Sequence, residues 1–468
     1  MEETKKINII HYVICAALIF GFPLLPNFAG LTDFGMGILG SFVGAIYGWV
    51  LIDMMWPSVL ALLSVSWHVG MANMLSASFG SDSVVSLIVC MMVVGVAMKN
   101  GAFTWLAMKL LTSKFTEGRG YVTIFVVFIA GWLTGSFNPI IMCIILCGFL
   151  NSMFEQVGVK KNDKLVIFCY LGLAYQLMRG QILFPFVGVG LIYMNIYKGM
   201  FPDIPFPATD YLTMMIVMGI VMAVIWLALM KFVFHVDVSP LSNYRLEGGC
   251  PTVTKGQKIS LVLFVVFLAA NILANVGPLT PFLGRLGVCG ISMAIGALIP
   301  LIKDEQGQPL GDLKELCAMI DWGQIFLVGY VMVMSRYMTA PETGIANAMA
   351  VLFQPFVNLN PLVFVIIAMI VATILTNVAN NLVVTVVCLP FIVNFAALIG
   401  MSPVGMVALL FIISEFALVT PAASPVTAVA MSQPMADANI MSRYAILMLI
   451  PLFIAFLAIA WPLSMLIF

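Results

Sequence analysis

Three asparagines stand where apolar helices should not break. Asn138 lies in Gly135-Ser136-Phe137-Asn138-Pro139, and Asn380 and Asn381 close Thr376-Asn377-Val378-Ala379-Asn380-Asn381, both runs being embedded in long apolar stretches. An amide side chain offers donors and an acceptor together. Proline and clustered small polar residues take backbone groups out of the helix ladder, and in lipid such a break persists only where protein or a wet cavity satisfies those groups. The half-helix after a break presents free N–H groups and a positive dipole end, which suits a carboxylate or sulfate. The half-helix before it presents carbonyls, which suit sodium. On this chemistry Asn138, Pro139, Asn380 and Asn381 are candidate anion ligands. Ser136, Asn138, Thr376, Asn377 and Asn381 are candidate cation ligands. The same asparagines would also serve as plain helix caps or as glue between helices.

A third break, Thr420-Pro421-Ala422-Ala423-Ser424-Pro425-Val426-Thr427, adds Thr420 and Ser424 to the cation candidates and Thr427 to the anion candidates. The alternative is a kinked helix whose hydroxyls satisfy their own backbone. Arg179 and Glu415 are charges inside apolar stretches, where burial costs a few kcal/mol or more. Both lie in the third segment of their half of the chain, which suggests that they pair. Arg179 could equally face an anionic substrate or occupy the place of a cation, and Glu415 could carry a proton or a cation. His11, His68 and His235 are scattered, and no phosphate loop, HExxH or nucleophile elbow occurs. The sequence therefore offers no resident cofactor and no enzyme chemistry.

Composition says what surrounds these residues. Of 468 residues 63% are hydrophobic and 9% charged, against about 25% charged in a soluble domain, so lipid must cover much of the surface. Twenty basic and twenty acidic residues balance, which excludes a nucleic-acid partner. The cysteines lie mostly in apolar runs without a CxxC pair and read as small buried hydrophobes. Spans of about 20 residues fit 10–28, 36–52, 54–68, 121–153, 164–195, 210–234, 258–276, 286–302, 361–395, 403–434 and 441–467. Two regions, 82–112 and 321–355, are apolar but broken into short arms, as in re-entrant hairpins. Lys5 and Lys6 favour a cytoplasmic N-terminus in the inner membrane. The longest polar stretch, 235–258 with Arg245 and Glu247, connects two halves.

Those halves match. At an offset of 243 residues Gly101 parallels Gly344 and Asn138 parallels Asn381; at 242, Leu133-Thr134 with Asn138 parallels Leu375-Thr376 with Asn380. Paired interrupted helices in two halves point to a transporter site near the bilayer midplane. The expected organisation is N-terminal scaffold helices over 1–80, a first transport repeat over 81–195, scaffold and connector over 196–320, a second transport repeat over 321–440, and a C-terminal helix over 441–468.

Phe137-Asn138-Pro139, Asn380-Asn381-Leu382 running on to Leu389-Pro390, and the Pro-rich break at 420–427 resemble the divalent anion/sodium symporter family of the ion transporter superfamily. In the first half Gln176-Leu177-Met178-Arg179-Gly180-Gln181 and Pro185 stand where that family carries its own Pro-rich break. The resemblance implies an all-α polytopic membrane protein built from two inverted repeats with re-entrant hairpins and broken helices. It further implies an elevator-type homodimer that moves a di- or tricarboxylate with sodium as the coupling ion.

Overall fold

The structure is a computed structural model describing residues 9–112, 118–244, 252–276, 279–338, 340–354 and 360–468. Lys5 and Lys6, and Arg245 and Glu247 of the connector, lie outside the described residues. Regular structure among them is helical, apart from one isolated bridge between Lys303 and Pro309. In chain order the helices are α1 (Ile9–Gly21), α2 (Asp33–Leu51), α3 (Met55–Val69), α4 (Met71–Ala77), α5 (Asp82–Lys99), α6 (Ala102–Leu111), α7 (Gly120–Gly135), α8 (Pro139–Gln156), α9 (Lys164–Gln181), α10 (Gly188–Met200), α11 (Ala208–Phe232), α12 (Lys255–Leu273), α13 (Thr280–Leu298), α14 (Leu313–Ala318), α15 (Trp322–Met338), α16 (Ile345–Phe353), α17 (Pro361–Thr376), α18 (Asn381–Leu398), α19 (Pro403–Ser414), α20 (Pro425–Met431) and α21 (Ala438–Ile467).

Several starts are legible as cap plus proline. Asn138-Pro139, Asn360-Pro361, Ser402-Pro403 and Ser424-Pro425 each place a side-chain acceptor on the first free N–H groups and a residue without an N–H at the first helical position. Seven helices, α2, α5, α8, α11, α12, α13 and α21, are long and apolar enough to cross a membrane. Two others show no face to lipid at all: Leu165 to Gln181 of α9 and Val404 to Ser414 of α19 are buried throughout. A helix apolar all round belongs at the centre of a bundle, and around these two the rest is assembled.

The breaks at Asn138 and Asn380 are chain reversals, not kinks in long helices. A methyl built on Gly131 of α7 would touch the Leu146 side chain of α8 at 3.7 Å. In a continuous helix fifteen residues would separate them by about 22 Å. Likewise Phe364, near the start of α17, stacks against Phe395, near the end of α18, with ring centroids 4.0 Å apart. α7–α8 and α17–α18 are therefore helical hairpins, with the asparagines at their tips. The structure thus puts a hairpin at each asparagine break, where the expectation had re-entrant hairpins over 82–112 and 321–355; those regions form α5–α6 and α15–α16. What joins α5 to α6 and α15 to α16 is a left-handed glycine, Gly101 at φ +66° and Gly344 at φ +72°, a conformation that costs a residue with a Cβ about 1 kcal/mol or more.

The two halves dock reciprocally. The Asn100 amide before Gly101 donates to Ser260 of α12 at 3.0 Å and to the Leu310 carbonyl at 3.1 Å. In the other half Thr32, the cap of α2, donates through Oγ1 to the Glu342 carbonyl at 2.8 Å and through its N–H to Thr343 at 3.2 Å. Each turn thus rests on a helix of the other half of the chain, α12 for the first and α2 for the second.

Candidate functional site

Both hairpin tips meet the breaks that follow α9 and α19. At the first tip the contact is backbone on backbone. A Cβ on Gly135 would lie 2.2 Å from the Leu177 carbonyl oxygen, and one on Gly180 would lie 2.1 Å from that of Trp132. Ser136 Oγ donates to the Gly180 carbonyl, and Phe137 stacks on Phe103 of α6 at 3.6 Å. At the second tip side chains do the joining. Thr376 donates to the Ser414 carbonyl. Asn377 donates to Thr373 at 2.8 Å and Phe416 at 2.9 Å, while its Oδ1 accepts the N–H groups of Leu418 and Val419 at 2.9 and 2.8 Å. Thr420 Oγ1 donates to the Asn377 carbonyl at 2.8 Å. The amide of Asn377 is fully engaged in fixing the unwound backbone after α19.

Between the tips lies a cavity of about 280 Å³, near the lower end of small-ligand pockets. Ser136, Asn138, Pro139, Asn380, Asn381 and Ser424 line it, together with Gln181, Gly188, Asp321 and Gln324. Four helix starts converge here, at Pro139 of α8, Gly188 of α10, Asn381 of α18 and Pro425 of α20. Three of them, α8, α10 and α18, run 18, 13 and 18 residues, long enough for a full dipole effect at the first turn. Asn138 Oδ1 accepts the Ile141 N–H at 2.9 Å and Asn380 Oδ1 the Leu382 N–H at 2.9 Å, so both asparagines are caps. By this role the repeat register at the tips is 242, which aligns Asn138 with Asn380. Among the described residues no Lys, Arg or His lines the cavity, and Asp321 is its one charged lining residue.

Glu415, the first residue of the break after α19, is fully buried behind the cavity wall. Its carboxylate accepts from three neutral donors: Gln181 Nε2, Asn381 Nδ2 at 2.8 Å and Tyr193 Oη at 2.9 Å. These come from α9, α18 and α10, so one carboxylate ties the second hairpin to both halves of the first repeat's broken element. Arg179 does not pair with it. Among the described residues no ion pair within 4 Å joins them, and Arg179 Nε and Nη1 have no hydrogen-bond partner. The guanidinium lies 5.7 Å from the Tyr175 ring centroid instead. Arg179 lies in the last turn of α9 and Glu415 caps the end of α19, so both charges stand at the C-terminal ends of their helices and yet make no ion pair.

Of the residues singled out by sequence, Thr376, Asn377, Thr420, Thr427 and Arg179 are not among the cavity's lining. Thr427 Oγ1 donates to the Ala417 carbonyl, and so braces the break from within. Gln181, Tyr193, Gly188, Asp321 and Gln324 carried no motif. The signal that could have found Gln181 and Tyr193 is the polar content of α9 and α10, two helices that the structure buries.

A family model described as a citrate transporter, CitMHS, matches residues 42–414. The chain belongs to the citrate transporter family. That match runs from within α2 to the end of α19 and includes both hairpins, stopping one residue before Glu415. No curated protein matches this family member. Among solved structures the crystal structure of the Alcanivorax borkumensis YdaH transporter, noted for an unusual topology, is similar to this citrate transporter homologue with a TM-score of 0.58. The identity is 13%, and the alignment covers 86% of this chain and 91% of that one. The likeness shows the fold, an all-α, multi-pass membrane protein, and the family to which the chain belongs is one of transporters, not enzymes.

Proposed function

We propose that this protein is a secondary transporter that carries a di- or tricarboxylate across the inner membrane by elevator-type motion, with sodium as coupling ion. One observation carries the reading: helix starts and the Asn138, Asn380 and Asn381 side chains converge on a cavity that, among the described residues, no basic side chain lines. A carboxylate leaving water needs several donors and a compensating charge. The helix N-termini and amides supply the donors, and a co-bound cation supplies the charge that side chains do not. Family membership supports the organic-anion class, and the resemblance to divalent anion/sodium symporters supports sodium and a homodimer held through the scaffold helices. The hairpins, α9–α10 and α19–α20 form the moving part. The basic N-terminal residues Lys5 and Lys6 favour a cytoplasmic N-terminus.

A second reading is favoured by Glu415. A buried carboxylate among neutral donors and without an ion pair is a place for a proton, which makes proton coupling, or exchange without sodium, the alternative. Uptake of a carboxylate panel into proteoliposomes separates the two. A sodium gradient at equal pH drives accumulation on the first reading. Accumulation that follows only a proton gradient supports the second, and no carboxylate uptake under either gradient rejects both.

A further inference from the structure

A second cavity, of about 810 Å³, lies at the other end of the same three helices. α5 lines it with Asp82, Ser83 and Ser86, and lines the central cavity with Cys90, Val94 and Met98. α10 begins at the central cavity with Gly188 and reaches the second with Asn195 and Lys198. α15 begins at the central cavity with Asp321 and Gln324 and reaches the second with Met332 and Arg336. From Gln324 to Arg336 the helix advances about 18 Å at 1.5 Å per residue. α5 and α15, equivalent in the two repeats, therefore run in opposite directions between the two spaces, as inverted repeats require.

That inversion relates the two cavities. The 243-residue offset that maps Gly101 onto Gly344 carries Gln324, in the wall of the central cavity, onto Ser81, in the wall of the second. The same offset carries Met91 onto Met334 and Val94 onto Tyr337, in the stretch of α15 where Met332 and Arg336 line the second cavity. By this offset Gln324 and Ser81 are, among the described residues, the one pair that lines both cavities, and the α5 residues of the central wall map beside Met332 and Arg336 of the second.

The electrostatics differ sharply. Lys198 of α10, Arg285 of α13 and Arg336 of α15 line the second cavity, against one carboxylate, Asp82. All four side chains are exposed, and among the described residues none of the three cations enters an ion pair within 4 Å. A cleft with a net excess of two positive charges raises the local concentration of anions. The central cavity has no basic lining residue among the described residues, whereas the second offers three exposed point charges.

Building on the transport reading above, we propose that the Lys198–Arg285–Arg336 cavity is the vestibule for the carboxylate on the opposite face of the membrane, where a polycarboxylate is gathered or released when the moving part has shifted along α5 and α15. Cys289 lines this cavity and reports on it directly. In the purified full-length protein, modification of Cys289 followed by mass spectrometry is expected to proceed about tenfold faster with an anionic than with a cationic methanethiosulfonate, relative to a free thiol. Millimolar citrate slows the anionic reaction. In R285Q and in K198Q/R285Q/R336Q the rate ratio falls towards that of the free thiol, and R285K restores it. The triple variant retains the citrate-induced thermal shift of the central site but shows an uptake KM raised about tenfold, and more at low salt than at high salt. Equal reagent rates in the wild type, or a triple variant with wild-type KM, overturns the proposal. Protection of Cys289 by phosphatidylglycerol vesicles but not by citrate overturns it too, and makes the cavity a headgroup site. Loss of the citrate thermal shift in the wild type counts against the central site, while the Cys289 ratio still judges the vestibule.

Discussion

Asn377 makes four hydrogen bonds with one amide, and removing them tests whether the second hairpin is stapled to the unwound backbone as described. In Asn377→Ala the N–H of Val419 loses its partner, while the N–H of Leu418 and the carbonyl of Phe416 keep only their bond to each other at 3.0 Å. Leu418 and Phe416 are fully buried and Val419 is half-buried. An unmade bond at a buried backbone group costs about 1–3 kcal/mol. One orphaned group, partly reachable by water, and two that each lose one of their bonds give about 2–4 kcal/mol. Asn380→Ala is the comparator, because Asn380 only caps α18 through Leu382, a contribution of about 1 kcal/mol. Thermal unfolding of the two variants in one detergent should show a melting temperature lowered several times more by Asn377→Ala, with no dependence of that difference on sodium. Equal shifts would refute the reasoning. So would an Asn377→Ala protein that melts like wild type but no longer responds to sodium, for then the amide serves an ion and not the backbone.

Gly180→Ala pushes a methyl into the Trp132 carbonyl and should cost about 1–3 kcal/mol or more, read as lost monodispersity on size exclusion. Gly148→Ala, where a methyl meets nothing within 4 Å, should be neutral or slightly stabilising by the same measurement. Glu415→Gln keeps the volume but removes the charge that three donors surround, so uptake should lose its dependence on the driving cation while carboxylate exchange persists; unchanged cation dependence argues against a coupling role. Arg179→Gln should alter the cation dependence of uptake and leave the carboxylate Kd within about twofold, since the guanidinium is not part of the cavity wall; a tenfold rise in Kd would return Arg179 to the substrate.

The breaks were plain in the sequence because proline, asparagine and small hydroxyls are foreign to the interior of a membrane helix, and Asn138 with Asn380 and Asn381 do share one cavity. That the chain reverses at those points was not legible. An apolar stretch such as 121–153 has the same residue types whether its arms continue or fold back, and only Gly131 against Leu146 decides it. Nor does residue type tell a ligand from a brace. Thr376, Asn377 and Thr420 have the chemistry of cation ligands and Thr427 that of an anion ligand, yet all four bond to backbone at the junction. Glycines at 135 and 180 matter through what touches them, a tertiary fact, although Gly131 and Gly135 at a spacing of four carry the small-residue signature of close helix packing. The unpaired Arg179 was invisible for a related reason: sequence places two charges in matching segments but does not give their depth.

Calorimetric titration of citrate into the purified protein, alongside Asn138→Ala and Asn381→Ala, weighs the central claim that helix starts and tip asparagines form the carboxylate site. Saturable binding by the wild type, weakened at least tenfold (about 1.4 kcal/mol) in each variant while the fold is retained, is the expected result. Wild-type affinity in both variants, or no binding of any di- or tricarboxylate, would contradict it.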